Sequence, residues 1–383
     1  MARRGWAARV SRLNAGGARR GANQAQTPAL GLGRQRRNGG RPGPQESQRM
    51  KGTATRIRLI EGRGSWRSRA LTTLLRIAPP RPLRQDADLL AVRWRYERLD
   101  ARHARIVPGL LRETTRCDGV AAEWISMPNS RADRILLYLH GGSFAFRFPN
   151  THAAFAARLC QKLGARALIP DYRLAPEHPF PAAPDDCQKV YRWLLAQGCG
   201  PGNVVLMGDS AGGNLALVTL HRARLAGEPQ PACAVLLSPA VDSTLDSHSM
   251  VDNEGHDPMF RLRDLLVLRR HYVPSPHLYT HPDVSPLFAD FSGLAPLLLQ
   301  AGSHEMLRDE VVRTAHRAHA AGVDVELELW PDAPHVFQVA PFLPESARAV
   351  SHIVAFVAAR AGWAIAAQGV ASGGPPRPSP AVG

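Results

Sequence analysis

Asn203–Gly213 reads Asn-Val-Val-Leu-Met-Gly-Asp-Ser-Ala-Gly-Gly, and the fold turns on how that run is divided. Asn203–Gly208 is a short apolar run of the kind that forms a buried strand, whereas Ala211–Ala226 has helical periodicity. Between them Gly208-Asp209-Ser210-Ala211-Gly212 has the form GxSxG, with a further glycine at Gly213. Such a pattern carries little weight by composition alone. At a strand-to-helix corner, however, the glycines permit a tight turn that raises the Ser210 hydroxyl at the carboxyl edge of a sheet. The plainer alternative is a glycine-rich turn in which Ser210 only caps the helix.

Working outward, strands and helices alternate. Arg134–His140, Ala165–Pro170, Cys233–Leu237, Pro296–Gln300 and Val323–Leu329 read as strands. Thr151–Leu163, Pro184–Gln197, Arg308–Ala321 and Pro344–Ala359 read as helices. This rhythm implies a mostly parallel sheet with right-handed crossovers and helices on both faces. Two stretches break it: residues 60–115, expected to be helical, and residues 242–290, rich in Asp, His, Ser and Pro. Insertions of that length are commonly functional lids.

A serine is a poor nucleophile at neutral pH without a base, an orienting acid and donors for an oxyanion. His140-Gly141-Gly142-Ser143 follows the first clear strand, and its side-chain-free residues let backbone N–H groups approach a carbonyl oxygen. Gly141, Gly142 and Ala211 are therefore the expected oxyanion donors, with His140 shaping the loop. In a nucleophile-elbow fold the chain order is serine, acid, histidine. His335, between the last strand and the last helix, meets that order.

These residues resemble the hormone-sensitive-lipase-like branch of the α/β-hydrolases, which includes bacterial carboxylesterases and acetyl esterases. The matching runs are Leu139–Phe144 (LHGGSF), Asp171–Glu177 (DYRLAPE), the Gly208–Gly213 elbow, Ser238–Asp242 (SPAVD), Ser285–Leu287 (SPL) and Pro334–Phe337 (PHVF). The resemblance extends over about residues 85–360. Ser143 is a departure, since many members carry a third glycine there. The resemblance implies an α/β-hydrolase fold in which residues 60–115 and 242–290 form a helical cap, with DYRLAPE and Asp242 as structural supports. It also places the acid in the loop after Pro296–Gln300, where relatives often have aspartate and this chain has Glu305. Asp309, four residues on, is the rival for that role.

Length and composition agree with an enzyme of this kind. The 383 residues, 44% of them hydrophobic, suffice for one large α/β domain or two small ones. Of the formal charge of +16, residues 1–50 contribute eleven arginines against one carboxylate, Glu46, so the rest of the chain is ordinary for a soluble enzyme. Five well-separated cysteines suggest neither a disulfide framework nor a metal site, and fit a reducing compartment. With no membrane span and no secretory signal, a cytoplasmic location is expected. Residues 1–55 are read as a disordered extension, partly an artefact if translation starts at Met50; 56–363 as the hydrolase domain; and 364–383 as a disordered tail.

The expected activity is hydrolysis of carboxylic esters of short to medium acyl chain through an acyl-enzyme on Ser210. The partner is a small-molecule ester, with no metal or cofactor required and no nucleic acid; the oligomeric state is open, a homodimer included. Lactones and amides stay open as substrates. A non-catalytic ligand-binding relative is disfavoured by His335, and a nucleic-acid binder by an arm with one aromatic residue, Trp6, and no folded motif.

Overall fold

The structure, a computed structural model, describes residues 56–77, 83, 88–103 and 107–364. The extension 1–55 and the tail from 365 lie outside the described residues.

Nine strands form one sheet: β1 (Arg56–Leu59), β2 (Leu111–Cys117), β3 (Val120–Ser126), β4 (Ile135–Leu139), β5 (Arg166–Pro170), β6 (Val204–Asp209), β7 (Cys233–Leu237), β8 (Leu297–Gly302) and β9 (Val325–Trp330). Their spatial order is β1-β9-β8-β7-β6-β4-β5-β3-β2. Every pairing is parallel except β2 with β3 and β3 with β5. The central strands β4, β6 and β7 are buried at every position, which explains their continuous apolar runs. Nine helices accompany them among the described residues: α1 (Trp66–Ile77), α2 (Leu89–His103), α3 (Pro149–Leu163), α4 (Ala182–Ala196), α5 (Ala211–Leu225), α6 (His248–Asp252), α7 (Leu262–Tyr272), α8 (Arg308–Ala320) and α9 (Pro344–Ala361). A large core cluster joins α3 and α9 to β4, β6 and β7, including Tyr138, Phe155, Met207, Ile353 and Phe356.

The elements expected from periodicity lie within a few residues of those found. The stretch 60–115 differs: it holds α1 and α2, but its last residues begin β2, the outer strand of a hairpin. Asp118 and Gly119 make the turn, both at positive φ (47° and 81°), as a two-residue hairpin with the right-handed twist of its strands requires. β2 is exposed along most of its length and so lacks apolar alternation. β1 is only four residues long and is held at the far edge by parallel pairing with β9.

Candidate active site

β6 ends at Asp209, and Ser210 follows at φ 52°, ψ −119°, a backbone conformation unusual for a side-chain-bearing residue. The turn is closed from the Ser210 N–H to Leu237 O (2.8 Å) and from the Ala240 N–H to Ser210 O (3.1 Å). A Cβ on Gly212 would lie 1.9 Å from the carbonyl oxygen of Leu139, so only glycine lets the start of α5 pass that close to β4. Strain of this kind persists because the surrounding contacts over-determine it.

Glu305, fully buried in the loop after β8, faces His335, in the loop after β9. The His335 Nδ1 to Glu305 Oε2 distance is 2.8 Å. Glu305 Oε1 accepts from Ser238 Oγ (2.8 Å) and from the Gly302 N–H, and Ser238 Oγ in turn accepts the Val336 N–H (3.2 Å). Both carboxylate oxygens are thus satisfied, which a buried charge demands. Asp309 is turned elsewhere, accepting the Ser249 N–H (3.0 Å) and pairing with Arg308. Burial alone would lower the His335 pKa, but the charge and hydrogen bond of Glu305, with the charge of Asp257, raise it above the ordinary imidazole value. The Phe260 and His335 rings meet in a T-shaped arrangement, 4.7 Å between centroids and 71° between planes.

Residues of the segment 242–290 reach the Glu305 loop directly. Asn253 donates through Nδ2 to Glu305 O (2.7 Å), and the Asp257 carboxylate accepts the N–H groups of Met306 (2.8 Å), Met259 (2.8 Å) and Phe260 (3.1 Å). Burial raises the Asp257 pKa. Both lie in the segment 242–290 but in none of the matching motif runs; the Asp257 bonds to Met259 and Phe260 are a local turn, whereas the bonds that reach Glu305 and Met306 span about fifty residues and have no local signature.

The oxyanion loop requires a correction. The Gly141 N–H donates to Asp209 Oδ1 (3.0 Å), so it is not free to meet a substrate oxygen as expected. Asp209 Oδ1 also accepts from Tyr138 Oη (2.6 Å) and lies 3.5 Å from His152 Nε2. These donors hold the Asp209 pKa below the carboxylate norm although burial opposes it. The buried acid within the GxSxG run thereby ties the oxyanion loop to the elbow, a role that only the fold reveals. Gly142 stands at φ 125°, where a Cβ would strike Phe146 O at 2.1 Å. The next two amides, of Gly142 and Ser143, meet no protein acceptor among the described residues. Ala211 is the first residue of α5, where a helix leaves its N–H without an intrahelical acceptor. His140 donates from Nδ1 to Gly141 O (2.8 Å) and stacks on Tyr172 (4.2 Å, 13°), whose hydroxyl donates to His140 O (2.6 Å). Burial pushes the His140 pKa down to about 4. Of the other expected supports, Glu177 pairs with Arg93 (2.7 Å) and Asp242 with Arg313 (3.0 Å).

Ser210 opens into a narrow pocket of about 70 Å³, walled by Ser143, Phe144, Phe260, Leu265, Leu268 and Tyr272. Its cap wall comes from the segment 242–290, including α7; none of its described lining residues belongs to 60–115. That earlier segment acts at one remove: Leu89, Val92 and Tyr96 of α2 pack with Phe146 and Leu268. A larger cleft of about 530 Å³, between β2, β3 and α3, includes His140 and His152 but not Ser210.

Residues 136–339 match a family model described as an alpha/beta hydrolase fold. An acetyl-hydrolase of Streptomyces hygroscopicus is 41% identical over 237 residues, covering 62% of this chain and 79% of the relative. An esterase of Acinetobacter venetianus is 37% identical over 242 residues, covering 63% of this chain and 80% of its own. Among solved structures, an esterase from the bacterial hormone-sensitive lipase family superposes with a TM-score of 0.72 at 38% identity, covering 78% of this chain and 99% of that one.

Proposed function

Since the chain belongs to the hormone-sensitive-lipase-like branch of the α/β-hydrolase family and is a carboxylic-ester hydrolase, we propose that Ser210 is its nucleophile, His335 its general base and Glu305 the acid that orients the base. The contact of His335 Nδ1 with Glu305 Oε2 at 2.8 Å, on the sheet edge that carries the Ser210 elbow, supports this reading most. Glu305 holds the Nδ1–H tautomer, leaving Nε2 to take the Ser210 proton as the hydroxyl oxygen attacks the ester carbonyl. The oxyanion forms against the amides of Gly142, Ser143 and Ala211. The protonated His335 then gives its proton to the departing alcohol, and the acyl group is held as an ester of Ser210. Water deprotonated by His335 releases the acid and restores the serine.

Acyl chains are short to medium in this proposal, because the pocket of about 70 Å³ is closed by Phe260, Leu265 and Leu268. Five free cysteines, four of them buried, support a reducing, cytoplasmic setting. No described helix is long and apolar enough to cross a membrane.

A fluorophosphonate probe is expected to label Ser210, and Ser210→Ala to lose hydrolysis of p-nitrophenyl butyrate by several orders of magnitude with the fold intact, because such residues act as a unit. Retention of near wild-type turnover would refute the assignment. A p-nitrophenyl series from acetate to palmitate then sets the chain length.

A further inference from the structure

The first helix of the described chain is inverted. α1 buries Ser68 and Thr72, while Trp66, Leu74 and Ile77 are 73%, 62% and 77% exposed. Its seat is largely polar: Ser68 Oγ donates to Asp332 O (2.8 Å), Thr72 Oγ1 to the same oxygen (3.4 Å), and Arg76 Nε to His256 O (2.9 Å). Only Leu71 of this helix packs on the neighbouring core of Trp330, Phe337 and Leu343. Trp66, Ala70, Leu74 and Ile77 follow a spacing of four, four and three, so they form one stripe along the outer face. Arg67 donates to the carbonyl of Phe342 (3.1 Å), itself 44% exposed, which extends the apolar surface sideways.

The charge around this stripe is of one sign. Residues 56–77 hold six arginines and one carboxylate, Glu61, and the helix itself has none. A two-fold contact would bring Arg67, Arg69 and Arg76 of two copies together, which opposes self-association. The arm 1–50, eleven arginines against one carboxylate, carries the same sign as the helix, so charge complementarity does not favour it as the occupant of this stripe. An exposed tryptophan and two aliphatic side chains bordered by guanidinium groups match the boundary of an anionic bilayer, with apolar groups below the headgroups and arginines among the phosphates.

We propose that α1 docks this enzyme on an anionic phospholipid surface through Trp66, Leu74 and Ile77, with Arg67 and Arg69 engaging lipid phosphates. Docking there sets the lipid beside the acid-base machinery, because α1 rests on Asp332, three residues before His335, and on His256 of the cap. The inference does not depend on the roles assigned to Ser210, Glu305 and His335.

Co-sedimentation of the full chain with vesicles of mixed phosphatidylcholine and phosphatidylglycerol, and with pure phosphatidylcholine, tests it. The wild type is expected to bind the mixed vesicles more tightly. Leu74→Ser with Ile77→Ser is expected to weaken that binding on the order of 10–100-fold, and Arg69→Gln about fivefold. Both variants keep the basic arm and the wild-type rate on soluble p-nitrophenyl butyrate. Equal binding by wild type and double variant would overturn the proposal and assign lipid affinity to the arm. So would a wild type that ignores vesicles but dimerises in sedimentation velocity while the double variant does not, since the stripe would then be a subunit contact.

Discussion

Glu305 and His335 are coupled tightly enough that one carboxylate governs both the orientation and the basicity of the imidazole. As the proposed base, His335 works only when neutral, so kcat/KM is expected to fall as pH drops through its pKa, with the acid limb above the ordinary value of about 6.5. Glu305→Gln removes the charge that raises that pKa and leaves the burial that lowers it. The limb should therefore move to lower pH while kcat falls by about 10³–10⁴, as when a triad aspartate becomes asparagine. Asp309→Asn should cost far less and leave the limb in place, because its carboxylate serves Ser249 and Arg308. The reverse pattern in the two pH profiles would make Asp309 the acid.

Among the elements, α7 has the clearest duty: it places Leu265, Leu268 and Tyr272 over the mouth of Ser210. A hydrophobic pocket discriminates about 1–3 kcal/mol per methylene. Leu265→Ala is accordingly expected to raise kcat/KM for p-nitrophenyl octanoate relative to the butyrate ester by on the order of tenfold. Unchanged ratios would place the acyl chain elsewhere, the cleft beside His140 and His152 being the next candidate. α2 should influence selectivity less, since it packs behind Phe146 and Leu268.

Over the whole molecule, the start of the described chain is woven into the catalytic end of the sheet. β1 pairs with β9, the Gly64 N–H donates to Asp332 Oδ2 (3.0 Å), and Ser65 Oγ donates to Glu345 (3.0 Å). Deleting residues 1–55 is expected to leave kcat and KM for soluble esters unchanged. Deleting 1–64 removes β1 and the Gly64 contact, freeing the turn that leads into His335, and should lower both thermal stability and kcat. Thermal melts and kinetics on the two truncations separate these outcomes. Loss of activity in the shorter deletion would make the arm a working part of the enzyme.

The sequence by itself determined whatever is local or obeys chain order. The short apolar run Asn203–Gly208 reads as the buried strand found at Val204–Asp209, GxSxG at its end points to an elbow, and the order serine, acid, histidine makes His335 the candidate base. Asp118-Gly119 also carried a hairpin signal, but the exposed face of β2 hid the strand that it turns. Tertiary structure alone decided matters that depend on which distant atoms meet. Glu305 was preferred to Asp309 from the sequence, yet its contact with His335 arises because β8 and β9 lie side by side. The sequence points to the Gly141 amide as an oxyanion donor, but Asp209, held by Tyr138 seventy-one residues before it in the chain, takes that N–H. The inversion of α1 is likewise invisible locally, because a helix with both polar and apolar stripes can bury either one. Hydrogen bonds from Ser68 and Thr72 to Asp332, more than 250 residues on, settle which face turns outward.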